Sequence, residues 1–105
     1  MREITDHRTD EGDTAIRLFA TDEKPCHDYL VILNLGYPGP NEVNISFQNG
    51  PVAEVGVNGL TQEVLVATCI DRLRCPQEES PGRESALALV KLEEALYWLH
   101  RREKQ

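Results

Sequence analysis

At 105 residues the chain can enclose one modest core and leaves much of its apolar surface to be shared, so a single domain working as an oligomer is expected. A formal charge of −7, with 28% charged and 40% hydrophobic residues, excludes both a disordered chain and a general nucleic-acid coat. Cys26, Cys69 and Cys75 are odd in number and lack C-x-x-C spacing, which excludes a disulfide framework or a zinc site, and no apolar run approaches the roughly 20 residues that cross a bilayer.

The polar start "MREITDHRTDEGD" cannot serve as a signal peptide, and the first 12 residues read as a loose arm or an edge strand. "TAIRLFA" (Thr14 to Ala20) and "DYLVILNL" (Asp28 to Leu35) are rich in β-branched and aromatic residues across the turn "TDEKPCH", which predicts a hairpin, with His27 as a turn residue. After "GYPGPNE", the alternation in "VNISFQ" (Val43 to Gln48) predicts a third strand. "FQNGPVAEVGVNG" (Phe47 to Gly59) then reads as a strand-to-helix corner. Gly50 and Gly59 would permit positive φ there, and the Asn58-Gly59 turn would present free backbone N–H groups at a helix start.

"LTQEVLVATCIDRLR" predicts a helix capped by Thr61 or Asn58, with Glu63 in its first turn and Arg72 and Arg74 in its last. Its middle is apolar nearly all round, which predicts burial against the sheet and other helices, including another subunit's. "CPQEESPGR" breaks it, with Ser80 as a cap and Pro81 at the next helix's first position. The last helix, Arg83 to about Glu103, sets Leu89, Leu92, Leu96 and Leu99 on one side and Lys91, Glu94 and Arg101 on its wet side. The expected class is α+β: a small antiparallel sheet of about three strands or more, followed by two helices and assembled as an oligomer.

No catalytic constellation, metal cluster or cofactor is expected. His7, His27 and His100 have no nucleophile at a matching spacing, and neighbouring carboxylates such as Glu93-Glu94 point about 100° apart on a helix. The glycine-rich stretch matches neither G-x-G-x-x-G nor G-x-x-x-x-G-K-[ST]. The basic end "HRREK" (His100 to Lys104) suits a helix C-terminus, and Arg101 or Arg102 offers a planar guanidinium fork for phosphate, with Tyr97 and Trp98 nearby as stacking or anchoring rings.

The order of the blocks "FQNGPVAEVGVNG", "DRLR" and "RESALALVKLEEALYWLHRR" resembles the phage Thoeris anti-defence proteins and the related anti-CBASS proteins, from about Asn44 to Arg102. The resemblance implies a small sheet with two helices, dimers that can build hexamers, and interfacial pockets that hold a cyclic ADP-ribose isomer without cleaving it. It carries the family's phosphate-contacting arginine onto Arg102, aligned through Trp98-Leu99. It also carries an Arg-Glu-Asn segment onto Arg83, Glu84 and Ser85, with Gly82 where the family has Cys. The family's stacking aromatic falls at Cys75-Pro76-Gln77, so Pro76 stands where a ring would, and Lys24 or Arg17 takes the place of an N-terminal basic residue. A stacked base contributes about 1–3 kcal/mol, so loss of that ring predicts a weakened or altered ligand.

Two classes of function follow. One is sequestration of a cyclic nucleotide immune signal in the cytoplasm of an infected bacterium, either a cyclic ADP-ribose isomer or a CBASS cyclic oligonucleotide. The other is an oligomeric module that has lost the pocket and binds a host protein. Neither involves DNA, RNA or a membrane.

Overall fold

The computed structural model describes residues 1–10, 12–22, 26–34, 41–75 and 82–102. The chain divides into two units, Met1–Leu60 and Thr61–Gln105.

The first unit is a four-stranded antiparallel sheet in the order β1 (Arg2–Ile4), β2 (Ile16–Ala20), β3 (Asp28–Leu33) and β4 (Asn41–Ser46). The predicted hairpin is β2–β3, with Ile16 opposite Leu33 and Ala20 opposite Tyr29. β4 starts two residues before the predicted Val43 and pairs along all of β3, from Asp28 opposite Ser46 to Leu33 opposite Asn41. The edge strand β1 sets Glu3 opposite Phe19, and its hold on β2 is partly ionic. Glu3 accepts from Arg17 at 2.9 and 3.0 Å and from Arg8 at 2.6 Å. The Arg17 guanidinium in turn lies 5.0 Å from the Phe19 ring centre. Ala20, 1% exposed, is the best-buried of this unit's described side chains.

The glycine-rich stretch closes on itself. It contains a four-residue helix, α1 (Val52–Val55), that the absence of any period conceals in the sequence. Gln48 Nε2 donates to the carbonyls of Gly50 and Gly56 at 3.0 and 2.9 Å, while its Oε1 accepts from the Asn58 backbone N–H at 3.0 Å. The Asn58 side chain accepts from the Asn49 N–H at 2.8 Å and donates to the Asn49 carbonyl at 2.7 Å. The Asn58 N–H expected to be free is therefore consumed inside the loop, and the positive φ angles belong to Gly50 and Gly56, not Gly59. Gly59 is needed for close approach: a Cβ there would lie 2.6 Å from the Gln48 nitrogen and closer still to the Phe47 carbonyl. That closeness lets Phe47 and Leu60 form a parallel bridge, with Gln48 N–H donating to Leu60 at 2.9 Å and Leu60 N–H to Ser46 at 2.8 Å.

The second unit is a pair of helices, α2 (Gln62–Arg74) and α3 (Arg83–Arg101). Thr61 caps α2 as predicted, its hydroxyl accepting from the Val64 N–H at 3.3 Å. α3 starts after Gly82, which supplies no side-chain cap, and the Ser80 and Pro81 expected there lie outside the described residues. Arg74 meets Glu93 at 2.6 Å and Arg102 meets Glu63 at 3.2 Å, so the helices run antiparallel. Ile70, 4% exposed, faces α3, and Leu89, Leu92, Leu96 and Leu99 form the predicted half-buried stripe. α2 is less buried than its apolar run predicts: Leu65, Val66 and Leu73 are half-buried, Val64 is 48% exposed, and Ala67 and Cys69 are exposed.

Candidate functional site

The two arginines nearest the end of the described chain stand in different settings. Arg102 closes α3, its N–H donating to the Trp98 carbonyl at 3.0 Å. Because the helices are antiparallel, its guanidinium reaches the first turn of α2, donating to Gln62 Oε1 at 3.1 Å and Glu63 Oε1 at 3.2 Å. Two of its five N–H groups are thereby engaged, and the side chain remains half exposed at 53%. A phosphate approaching Arg102 would meet its remaining donors and the electropositive start of α2, and would compete with the Glu63 carboxylate. Arg101 sits instead over Tyr97, 5.5 Å from the ring centre, and Tyr97 packs edge-on against Trp98 at 5.2 Å. Both rings are largely exposed, Tyr97 at 53% and Trp98 at 61%.

Arg83 and Ser85 occupy the first turn of α3 and are exposed. At 1.5 Å per residue they stand about 28 and 25 Å along the helix axis from Arg102. One chain therefore brings Arg101 and Arg102 together and holds Arg83 and Ser85 apart from them. Pro76 and Lys24 lie outside the described residues. Arg17, the other basic residue weighed for the N-terminal part, is committed to Glu3, which raises its already high pKa.

Sequence reasoning missed Gln62 and Glu63 as partners of Arg102. The signal lay in the two helices themselves, since an antiparallel pair necessarily returns the end of the second to the start of the first. It also missed an open groove of about 500 Å³ between the helices, lined by Ala67, Ile70, Asp71 and Arg74 opposite Glu93, Leu96, Tyr97 and His100. That volume suits a small molecule. It sets the carboxylates of Asp71 and Glu93 beside Arg74, already paired to Glu93, so the groove has no cationic bias toward an anion. Among the described residues no group of three or more His, Cys, Asp or Glu could hold a metal ion.

Residues 39–102 match the profile of the Acb2/Tad1 hairpin domain. The chain belongs to that family. Within it, the chain is 51% identical over 59 residues to Thoeris anti-defense 1 of Bacillus phage SBSphiJ7, an overlap of 55% of this chain and 42% of that protein. The chain thus corresponds to less than half the length of that relative. The Acb2/Tad1 match takes in β4, the closed glycine-rich loop, α2, α3 and Arg102, whereas β1, β2 and β3 precede it. Among the described residues no helix is long and apolar enough to cross a membrane.

Proposed function

We propose that this chain is a phage anti-defence protein that binds a cyclic nucleotide immune signal, a cyclic ADP-ribose isomer, and withholds it from the Thoeris system of the infected bacterium without cleaving it. The observation that carries this reading is the match of residues 39–102 to the Acb2/Tad1 hairpin domain, together with 51% identity to a Thoeris anti-defence protein across 59 residues. The geometry supports it in one respect: Arg102 presents a half-exposed guanidinium at the start of α2, where helix dipole and side chain both favour phosphate. A sponge needs tight binding and slow release, so a preset guanidinium fork suffices and no proton transfer is required. The protein would act in the host cytoplasm, where such signals are made, and its net charge of −7 would discourage non-specific contact with nucleic acid.

Assembly is part of the proposal. Among the described residues only Ala20 and Ile70 are buried, and large apolar side chains such as Val64, Leu87, Val90 and Trp98 stand exposed at 46–61%. Such a surface is expected of a chain whose copies cover one another as a dimer or a larger ring of dimers.

Isothermal titration calorimetry with 1″–2′ and 1″–3′ glycocyclic ADP-ribose, and with cyclic di- and trinucleotides, tests the reading. At micromolar protein at least one should bind and be recovered intact after heat denaturation. Arg102→Ala should weaken binding by tenfold or more while the protein stays assembled, since the Arg102–Glu63 pair is exposed and holds little stability. Heat from none of these compounds would end the proposal, and recovery of an altered compound would replace sequestration with hydrolysis.

A further inference from the structure

Arg102 is held at both terminal nitrogens of its guanidinium, Nη1 donating to Gln62 Oε1 at 3.1 Å and Nη2 to Glu63 Oε1 at 3.2 Å. One acceptor is neutral and the other charged, so they act differently on the same group. Either contact restrains the plane of the fork, but only Glu63 cancels its charge. Glu63 is also the acidic residue in the first turn of α2, where a carboxylate offsets the positive end of the helix dipole. A single side chain thus removes most of the long-range pull that this corner would exert on anions. Arg101, about 100° around the helix from Arg102, is turned to the Tyr97 ring instead.

The fold has little need of the ion pair. The Arg102 side chain is 53% exposed and that of Glu63 28%, and a pair so open to water adds little to stability. Gln62 already restrains the guanidinium without charge. A carboxylate beside an anion-binding arginine weakens every anion that approaches, and what it gives in exchange is selectivity.

We propose that Glu63 is a specificity-determining residue: by neutralising Arg102 it keeps the corner from attracting phosphates by charge alone, so that hydrogen-bond geometry decides which phosphorylated compound is held. The proposal deepens the function proposed above and rests on Arg102 as a phosphate contact. With the pair intact the local charge sums to zero, an approaching anion gains nothing from carrying more charge, and three of the five N–H groups remain for a phosphate that fits. Without the Glu63 charge the corner is cationic, and attraction grows with each charge on the ligand. The compounds turned away are therefore the most highly charged, such as free nucleoside triphosphates, which share the phosphate chemistry of a cyclic nucleotide and lack its closed shape.

Isothermal titration calorimetry of the full chain compares ATP with 1″–2′ and 1″–3′ glycocyclic ADP-ribose on the unchanged protein, Glu63→Gln, Glu63→Asp, and Glu63→Gln combined with Arg102→Ala. At about 50 mM salt, Glu63→Gln should tighten ATP by roughly tenfold and a glycocyclic compound, with about half the charge, by roughly threefold, and most of the ATP gain should vanish by about 300 mM. Glu63→Asp, which keeps the charge, should leave ATP as weak as in the unchanged protein, and Arg102→Ala should abolish the gain. The sign separates this role from a structural one: if Glu63 served only to hold Arg102 or to start α2, its loss would weaken binding. ATP no tighter in Glu63→Gln, an equal gain in Glu63→Asp, a gain indifferent to salt, or one that survives Arg102→Ala would each overturn the proposal. If neither glycocyclic compound binds any of the four proteins while ATP responds as expected, the ligand reading falls and the role of Glu63 stands.

Discussion

Glu3 accepts two hydrogen bonds from Arg17 and one from Arg8, and these partners, Arg17 above all, hold its pKa at about 2 against an ordinary 4.5. A carboxylate whose pKa is lowered by folding contributes stability that is complete above about pH 4.5 and is lost as pH falls toward 2. Glu3→Gln should therefore lower the urea midpoint at pH 7, and the gap from the unchanged protein should close by about pH 2; a gap still open there would show that the ion pairs are not what fixes β1. Asp22 follows the same logic through the backbone. The His27 N–H, at 2.9 Å, is the main cause of its lowered pKa, and the Asp28 N–H adds a weaker bond at 3.3 Å. His27 lies directly before β3, with its main chain tied to Asp22 on one side and to Phe47 on the other.

Among the elements, the closed loop between β4 and α2 rests on a single close approach. Gly59→Ala would drive a methyl group into the Phe47 carbonyl, and main chain cannot swing aside as a flexible side chain can. The substitution should cost about 1–3 kcal/mol in denaturant unfolding and weaken amide protection at Gln48 and Leu60. Gly12→Ala, whose Cβ would meet only Asp10 Oδ1 at 3.5 Å, should stay within about 0.5 kcal/mol. Equal effects from the two would refute the close-packing argument. β2, β3, β4, α2 and α3 are legible in the sequence because local pattern and fold agree there: β-branched alternation, a Thr61 cap, and leucines at helical spacing. α1 is not, since four residues between glycines carry no period. Nor is the hold on β1, because Glu3 finds Arg17 only after the chain has turned back. The site is less legible than the fold for a related reason. Arg102 can be singled out by family resemblance and by the chemistry of a guanidinium, yet Gln62 and Glu63, which hold it, lie about forty residues earlier in the chain.

For the whole molecule, the distribution of burial makes stability a function of concentration. Folding must offset the loss of chain entropy with apolar surface removed from water, and each fully buried large aliphatic side chain contributes only about 1.5–3 kcal/mol. Among the described residues Ala20 and Ile70 alone are buried, while Ile16, Val43, Val64, Leu87, Val90 and Trp98 are 46–61% exposed. If copies cover those side chains, unfolding and dissociation become one equilibrium, and mass action raises Tm with protein concentration. Scanning calorimetry from about 2 to 200 μM should then show Tm rising by several degrees. A Tm independent of concentration, with a sharp transition at the lowest concentration, would mean that one chain supplies its own core, and the exposed faces of α2 and α3 would then need a different partner to account for them.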